Sequence, residues 1–310
     1  MYRAALLQVL LLIANSVSAQ PPAARINQRV DPGRFATQIW ETKSNDDRLY
    51  RIFVSVPDGT PPSEGYSVMY VLDGNAYFGQ AVESRNKLAN QNEKAIIVGI
   101  GYPIDTRIDV VRRTYDLTPP ADEVNLPPRR GGERWPTWGG ADDFLSFVQN
   151  ELKGDVEQRY SINRYRQALF GHSFGGLFAL HAMFTRSSCF QTYIAASPSV
   201  WWNDYAIENA RTELRSPVDL ILTVGELELS SDVGPAAALA PTDAKRQFGT
   251  TKDFAASASG LGAKPKVDCA TLLKKHRESP VERSYLRQKV DPQGYPRSGG
   301  RSYAKVALSS

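Results

Sequence analysis

The stretch Leu169-Phe170-Gly171-His172-Ser173-Phe174-Gly175-Gly176 constrains this chain more than any other. It is a Gly-x-Ser-x-Gly pattern that follows a short apolar run and opens an apolar helical one. A strand that turns straight into a helix at a serine leaves almost no room beside it, so Gly171 and Gly175 are expected to relieve the crowding. Ser173 is then held in a strained conformation with its hydroxyl exposed at the C-terminal edge of the strand. The helix behind it points backbone N–H groups at the same spot, where they favour developing negative charge. The pattern predicts a nucleophilic serine, with the N–H of Phe174 as one oxyanion donor. A glycine-rich turn without chemistry is the bland alternative, and the flanking strand and helix count against it.

The rest of the chain supplies the sheet that such a turn needs. Residues Leu49 to Val56, Tyr66 to Leu72, Lys94 to Gly99, Gln167 to Phe170, Gln191 to Ala195 and Asp219 to Val224 are short apolar runs bounded by Gly, Pro or Ser, and a last strand is expected over Lys266 to Leu272. Helical patterns lie between them. Ala141 to Tyr160 sets Phe144, Phe147, Val148 and Leu152 at spacings of three and four. Phe174 to Thr185 is apolar all round, and Asp243 to Ser257 is a weaker helix. Strands alternating with helices predict an α/β fold with a mostly parallel central sheet and helices on both faces. Pro103 to Gly140 and Leu229 to Thr242 do not fit that rhythm and are expected to be long functional loops. With 42 % apolar and 23 % charged residues, the chain is able to bury one sizeable core.

A serine hydroxyl needs a base, and the chain has three histidines. His172 lies inside the turn and is expected to point away from the hydroxyl. His181 lies mid-helix and is expected to be structural. His276 follows the last predicted strand, where the order serine, acid, histidine puts a base. The acid should follow Asp219 to Val224, and Glu226 is the first candidate there, with Glu228 and Asp232 as rivals. A second oxyanion donor is expected in the turn after Tyr66 to Leu72, at the backbone N–H of Asn75 in Asp73-Gly74-Asn75.

The two ends differ from the middle. Met1-Tyr2-Arg3, an apolar run from Ala4 to Ala14, and Val17-Ser18-Ala19 have the layout of a secretory signal peptide, predicting residues 1–19 as leader, 20–33 as linker, 34–290 as the catalytic domain and 291–310 as a polar tail. The apolar run is shorter than the roughly 20 residues that span a bilayer, so no membrane span is expected. Export predicts a secreted, periplasmic protein and would permit a disulfide between Cys189 and Cys269, although two free thiols fit equally well. The net charge of +4 is too small to suggest a nucleic-acid partner, and no cofactor or metal-ligand spacing is present in the sequence.

From Tyr70 to Ser199 the chain resembles the esterase D-like branch of the α/β hydrolases, most of all its periplasmic enterobactin and salmochelin esterases and the related bacillibactin esterases. The resemblance is carried by Tyr70-Val71-Leu72-Asp73-Gly74-Asn75-Ala76, by Arg113-Thr114-Tyr115-Asp116-Leu117-Thr118-Pro119, by Gly139-Gly140, by the serine turn, and by Ala195-Ala196-Ser197-Pro198-Ser199. It implies the α/β-hydrolase fold, Ser173 and His276 as a catalytic pair, and Arg113 as an arginine contacting the ester region of the substrate. It also implies that the acid is absent or dispensable in the periplasmic members, which leaves Glu226 open. Lys275 before His276 and Arg277-Glu278-Ser279-Pro280-Val281 after it depart from the usual surroundings of the base.

The expected substrate is a small-molecule ester, a ferric catecholate siderophore being the leading class. Arg129, Arg130 and Arg134 with Trp135 and Trp138 in the long loop suit an anionic aromatic ligand, and Trp201 and Trp202 stand where they would line a pocket or cap the core. Arg130, Trp138 and Trp201 join Arg113 as expected substrate contacts. A solvated loop, a general carboxylesterase, an acyltransferase and a non-catalytic binding protein built on a hydrolase are the competing expectations.

Overall fold

The computed structural model describes residues 31–87, 94–129, 132–210, 218–225, 264–265 and 303–309. The strands are β1 (Gln38–Lys43), β2 (Leu49–Ser55), β3 (Tyr66–Leu72), β4 (Ala95–Gly101), β5 (Ile162–His172), β6 (Thr192–Ala196), β7 (Asp219–Gly225), β8 (Lys264–Pro265) and β9 (Tyr303–Ser309). They form one sheet in the order β1-β2-β4-β3-β5-β6-β7-β9-β8. The five central strands, β4-β3-β5-β6-β7, are mutually parallel, and antiparallel strands flank them on both sides. β9 falls in the segment read from sequence as a polar tail.

β3 shows why the central strands were legible. Its sequence, YSVMYVL, is mostly β-branched and aromatic, and all seven residues are buried. Alternate side chains serve two separate cores. Val68, Tyr70 and Leu72 join one cluster, and Met69 and Val71 join the other. Helix α1 (Gly74–Lys87) covers the second face with Phe78, Ala81 and Val82. The first face is covered by α2 (Val110–Leu117), by α3 (Ala141–Phe147), a π turn (Val148–Leu152) and α4 (Lys153–Arg159), and by α5 (Phe174–Thr185). Phe144, Phe147, Val148 and Leu152, the stripe predicted by spacing, are all buried there.

The structure departs from the sequence reading in four places. β1 was not anticipated, because an edge strand with mostly exposed polar residues carries no apolar signal. β5 begins five residues earlier than expected, since its first half holds Asn163, Arg164, Tyr165 and Arg166. Helix α1 was not anticipated: the turn expected to supply the second oxyanion donor runs straight into it at Gly74. The stretch from Pro103 to Gly140 is not a structureless loop: it contains α2, whose N-cap Asp109 accepts a hydrogen bond from the Arg112 N–H at 2.9 Å, and a short 3-10 turn at Glu123–Asn125. The expected strand at Lys266 to Leu272, the helix at Asp243 to Ser257 and the Leu229 to Thr242 loop lie outside the described residues.

The connections define where a ligand can bind. From β3 the chain passes through α1 to β4 on one side, then crosses back to β5 on the other side of β3. The carboxyl ends of β3 and β5 therefore border the point where strand order reverses, which in open α/β sheets is the crevice for ligands.

Candidate active site

Both strands at this crevice end in a helix N-terminus. Ser173 sits between β5 and α5 with φ 59° and ψ −115°, a conformation that costs an L-residue energy and persists because its surroundings enforce it. Its own N–H donates to Ala196 O (2.9 Å), and its carbonyl accepts from the N–H of Leu177 (2.9 Å) and of Ser199 (3.1 Å). The N–H groups of the first turn of α5, Phe174 included, have no carbonyl within the helix to bond and face the crevice end of the sheet.

The glycines divide the work differently from expectation. A Cβ on Gly171 would lie 2.0 Å from Gly175 O, a backbone clash that no rotamer change relieves. A Cβ on Gly175 would make ordinary contact with Leu72 Cβ at 3.5 Å. The second tight position is Gly176, where a Cβ would come within 2.9 Å of Pro198 Cα. The close approach is thus between the helix and the loop after β6, a tertiary contact that the motif alone does not disclose.

The turn after β3 is tied to this elbow by Arg113. Asp73 has φ 49°, and its buried carboxylate accepts two hydrogen bonds from Arg113, Nε to Oδ1 at 3.0 Å and Nη2 to Oδ2 at 2.9 Å. The same Nη2 lies 3.5 Å from His172 O, and the guanidinium stands 5.2 Å from the Phe174 ring centre. Arg113 therefore stands beside the serine turn, with two of its donor groups committed to Asp73. Asn75 lies in the first turn of α1. Its side-chain amide donates to Tyr102 O (3.0 Å) and Ile104 O (3.1 Å) and accepts from the Tyr102 N–H (2.8 Å), which fixes the turn against the end of β4.

Behind Arg113, Asp116 is 1 % exposed, with Arg112 Nη2 at 3.5 Å and Arg48 Nη1 at 3.8 Å, ion-pair contacts too long for good hydrogen bonds. Burial pushes its carboxyl up to about 6, with the charges of Arg112 and Arg48 pulling the other way.

One wall of the crevice is aromatic. Phe174 meets Trp135 (6.1 Å between ring centres), Trp201 (5.8 Å) and Trp202 (5.3 Å). The indole N–H groups of Trp135, Trp138 and Trp202 donate to Pro127 O, Ala121 O and Pro119 O, pinning residues 119–127. Trp201 is partly exposed beside Phe174, so it is placed to face a ligand. Trp138, also partly exposed, meets the Trp202 ring at 6.5 Å between centres while its N–H holds the loop at Ala121. Arg129 bonds Arg134 O within its own loop and pairs with Glu133 at 3.2 Å. Arg130 lies outside the described residues.

Two histidines are placed. His172 Nδ1 shares a hydrogen bond with Tyr77 OH at 3.0 Å, and His181 Nε2 meets Asp142 Oδ1 at 2.8 Å. His276 and Glu226 lie outside the described residues. Cys189 is a buried free thiol, and Cys269 lies outside the described residues. No cluster of His, Cys, Asp or Glu suited to a metal occurs among the described residues, and no helix there is long and apolar enough to cross a membrane.

Sequence reasoning named Ser199 in the resemblance and gave it no role. Its hydroxyl lies 3.2 Å from Ser173 Oγ, 26 residues away in the chain. The available signal was Ser-Pro-Ser directly after a predicted strand, since residues just beyond parallel strands line the crevice.

A parallel sheet covered on both faces, with a strained serine between strand and helix at the switch point, defines an α/β hydrolase. Residues 45–228 match the esterase family described as "Putative esterase", and the chain belongs to that family of carboxylic ester hydrolases. Among curated proteins it is 40 % identical over 197 residues to the ferri-bacillibactin esterase BesA of Bacillus subtilis, covering 59 % of this chain and 68 % of that protein. It is also 40 % identical over 190 residues to the siderophore enterobactin esterase of Emericella nidulans, covering 57 % of this chain and 63 % of that protein. Among solved structures it matches the siderophore hydrolase EstA from Aspergillus nidulans with a TM-score of 0.61 at 32 % identity, over 78 % of this chain and 86 % of that one. The chain thus spans about two thirds of the length of the curated relatives it matches.

Proposed function

We propose that this chain hydrolyses siderophore-type esters through an acyl-enzyme on Ser173. The observation that carries the reading is the strained Ser173 at the head of α5, flanked by helix-terminal N–H groups and by the β3 turn. In the proposed sequence Ser173 Oγ attacks the ester carbonyl carbon as His276 takes its proton, with Glu226 orienting the imidazole. The carbonyl electrons move to oxygen, where the N–H groups of Phe174 and Asn75 meet the charge. The C–O bond to the alcohol then breaks and the imidazolium protonates the leaving oxygen, after which water repeats the sequence on the acyl-enzyme. The siderophore esterases among its relatives support a siderophore ester, and the aromatic wall around Phe174 and Trp201 suits a catecholate ring.

A fluorophosphonate probe, followed by peptide mapping and a panel of a ferric catecholate ester and p-nitrophenyl acetate, tests the reading. Label on Ser173 and a loss of about 10⁴-fold in Ser173→Ala are expected. Label elsewhere, or activity within tenfold of the parent, would refute it. The same reading includes export to the periplasm after cleavage behind Ala19. An intact mass beginning near Gln20 in an envelope fraction is expected, and a cytoplasmic pool retaining residues 1–19 would overturn it.

A further inference from the structure

We infer that Ser199 is a hydrogen-bond donor to the nucleophile oxygen, assisting the step in which Ser173 leaves the acyl-enzyme. The inference rests on the reading of Ser173 as nucleophile and adds a participant to it.

At this separation either hydroxyl could donate, and it is burial that sets the direction of the bond. Ser199 is 1 % exposed, whereas Ser173 is partly exposed to the crevice. Among the described residues, Ser173 Oγ at 3.2 Å is the hydrogen-bond partner of the Ser199 hydroxyl. A buried hydroxyl that leaves its proton unpaired is destabilised, because it has given up water and gained no partner. The Ser199 proton therefore belongs on Ser173 Oγ, which leaves the Ser173 proton for the base or for water.

The position is built by the backbone rather than by the hydroxyl itself. The Ser199 N–H donates to Ser173 O (3.1 Å), the Ser173 N–H donates to Ala196 O (2.9 Å), and the Trp202 N–H donates back to Ser199 O (3.2 Å). Buried Val200 and Trp202 anchor the chain just beyond, and the close approach at Gly176 brings Pro198 against α5. Removing the hydroxyl leaves this scaffold in place.

Such a donor acts differently in the two half-reactions. In the acyl-enzyme, Ser173 Oγ is an ester oxygen and a poor acceptor. When water has added to the acyl carbon and the C–Oγ bond breaks, the bonding electrons pass to Oγ and the imidazolium proton follows. Through that step the Ser199 O–H donates without transferring its own proton, and its hydrogen bond strengthens as charge gathers on Oγ. An interaction stronger in the transition state than in the ground state raises the rate of that step. In acylation the same donation stabilises the departing negative charge on the attacking oxygen and also lowers its nucleophilicity, so the net effect there is small.

The experiment combines fluorophosphonate labelling with burst kinetics on p-nitrophenyl acetate for the parent, Ser199→Ala, Ser199→Cys and Ser199→Thr. For Ser199→Ala, kcat should fall about tenfold with KM falling in parallel, on the scale of one neutral hydrogen bond. The burst should grow as acyl-enzyme accumulates, and the labelling rate of Ser173 should stay within about threefold of the parent's. Ser199→Cys, similar in size with a weaker donor, should behave like Ser199→Ala, and Ser199→Thr should recover kcat. Unchanged kcat in Ser199→Ala and Ser199→Cys, or equal losses in kcat, kcat/KM and labelling rate, would overturn the inference in favour of a space-filling role. Absence of label on Ser173 in the parent would instead refute the nucleophile reading itself.

Discussion

Replacing Asp73 by asparagine tests whether the Asp73–Arg113 pair is what locks the β3 turn to the elbow. The side chains are 1 % and 12 % exposed and meet through two hydrogen bonds, so solvent screens them little. At an effective dielectric near 20, unit charges about 4 Å apart attract by about 4 kcal/mol. Removing one member of a buried pair costs about 3–5 kcal/mol, because the other charge stays buried without a partner. Asparagine is the informative substitute, since residue 73 has φ 49°, and asparagine tolerates positive φ better than most residues. Asp73→Asn and Arg113→Met should each lose about 3–5 kcal/mol of unfolding free energy in urea. Against a typical total of about 5–15 kcal/mol, that is a large share. The double variant removes both charges and should lose at least about 2 kcal/mol less than the sum of the single losses. The measurement is a urea cycle on all four proteins at low and at moderate salt, with midpoint differences nearly independent of salt. Single losses below about 1 kcal/mol that add in the double variant would refute the argument and make Arg113 available to a substrate instead.

Two further perturbations probe the frame of the site. Gly171→Ala should lose more than about 2 kcal/mol and most of the fluorophosphonate reactivity, because its Cβ meets Gly175 O at 2.0 Å, whereas Gly175→Ala should stay within about 1 kcal/mol; equal thermal-melt effects would contradict this. For Asp116, burial sets the folded carboxyl at about 6, above its ordinary 3.8, so the folded state binds the proton more readily and the stability this provides is lost as pH rises through that window. Asp116→Asn mimics the protonated form, and its stability relative to the parent should improve by about 1–3 kcal/mol between pH 4.5 and pH 7.5 in urea melts; a flat or opposite trend would disprove it.

The strand–serine–helix turn was readable because each part has a local cause. An apolar run makes β5 end in the core, Gly171 permits the turn, and the apolar sequence of α5 buries the helix behind it. Buried central strands such as β3 were equally clear, since a strand covered on both faces needs apolar residues throughout. β1 and the first half of β5 were lost because an exposed edge demands no such pattern. His276 and Glu226 remain sequence assignments, resting on chain order and on the resemblance.

What the sequence determined by itself was the parallel α/β class and the serine at its elbow, because periodicity, glycine spacing and side-chain volume act over a few residues. What tertiary structure decided was which distant groups meet that serine. Arg113 turned out to be held by Asp73, 40 residues away, and the hydroxyl of Ser199 arrived from the end of the next strand, 26 residues on. Such meetings depend on strand order and on the close approach of backbones at Gly176, and no local pattern in the chain encodes either.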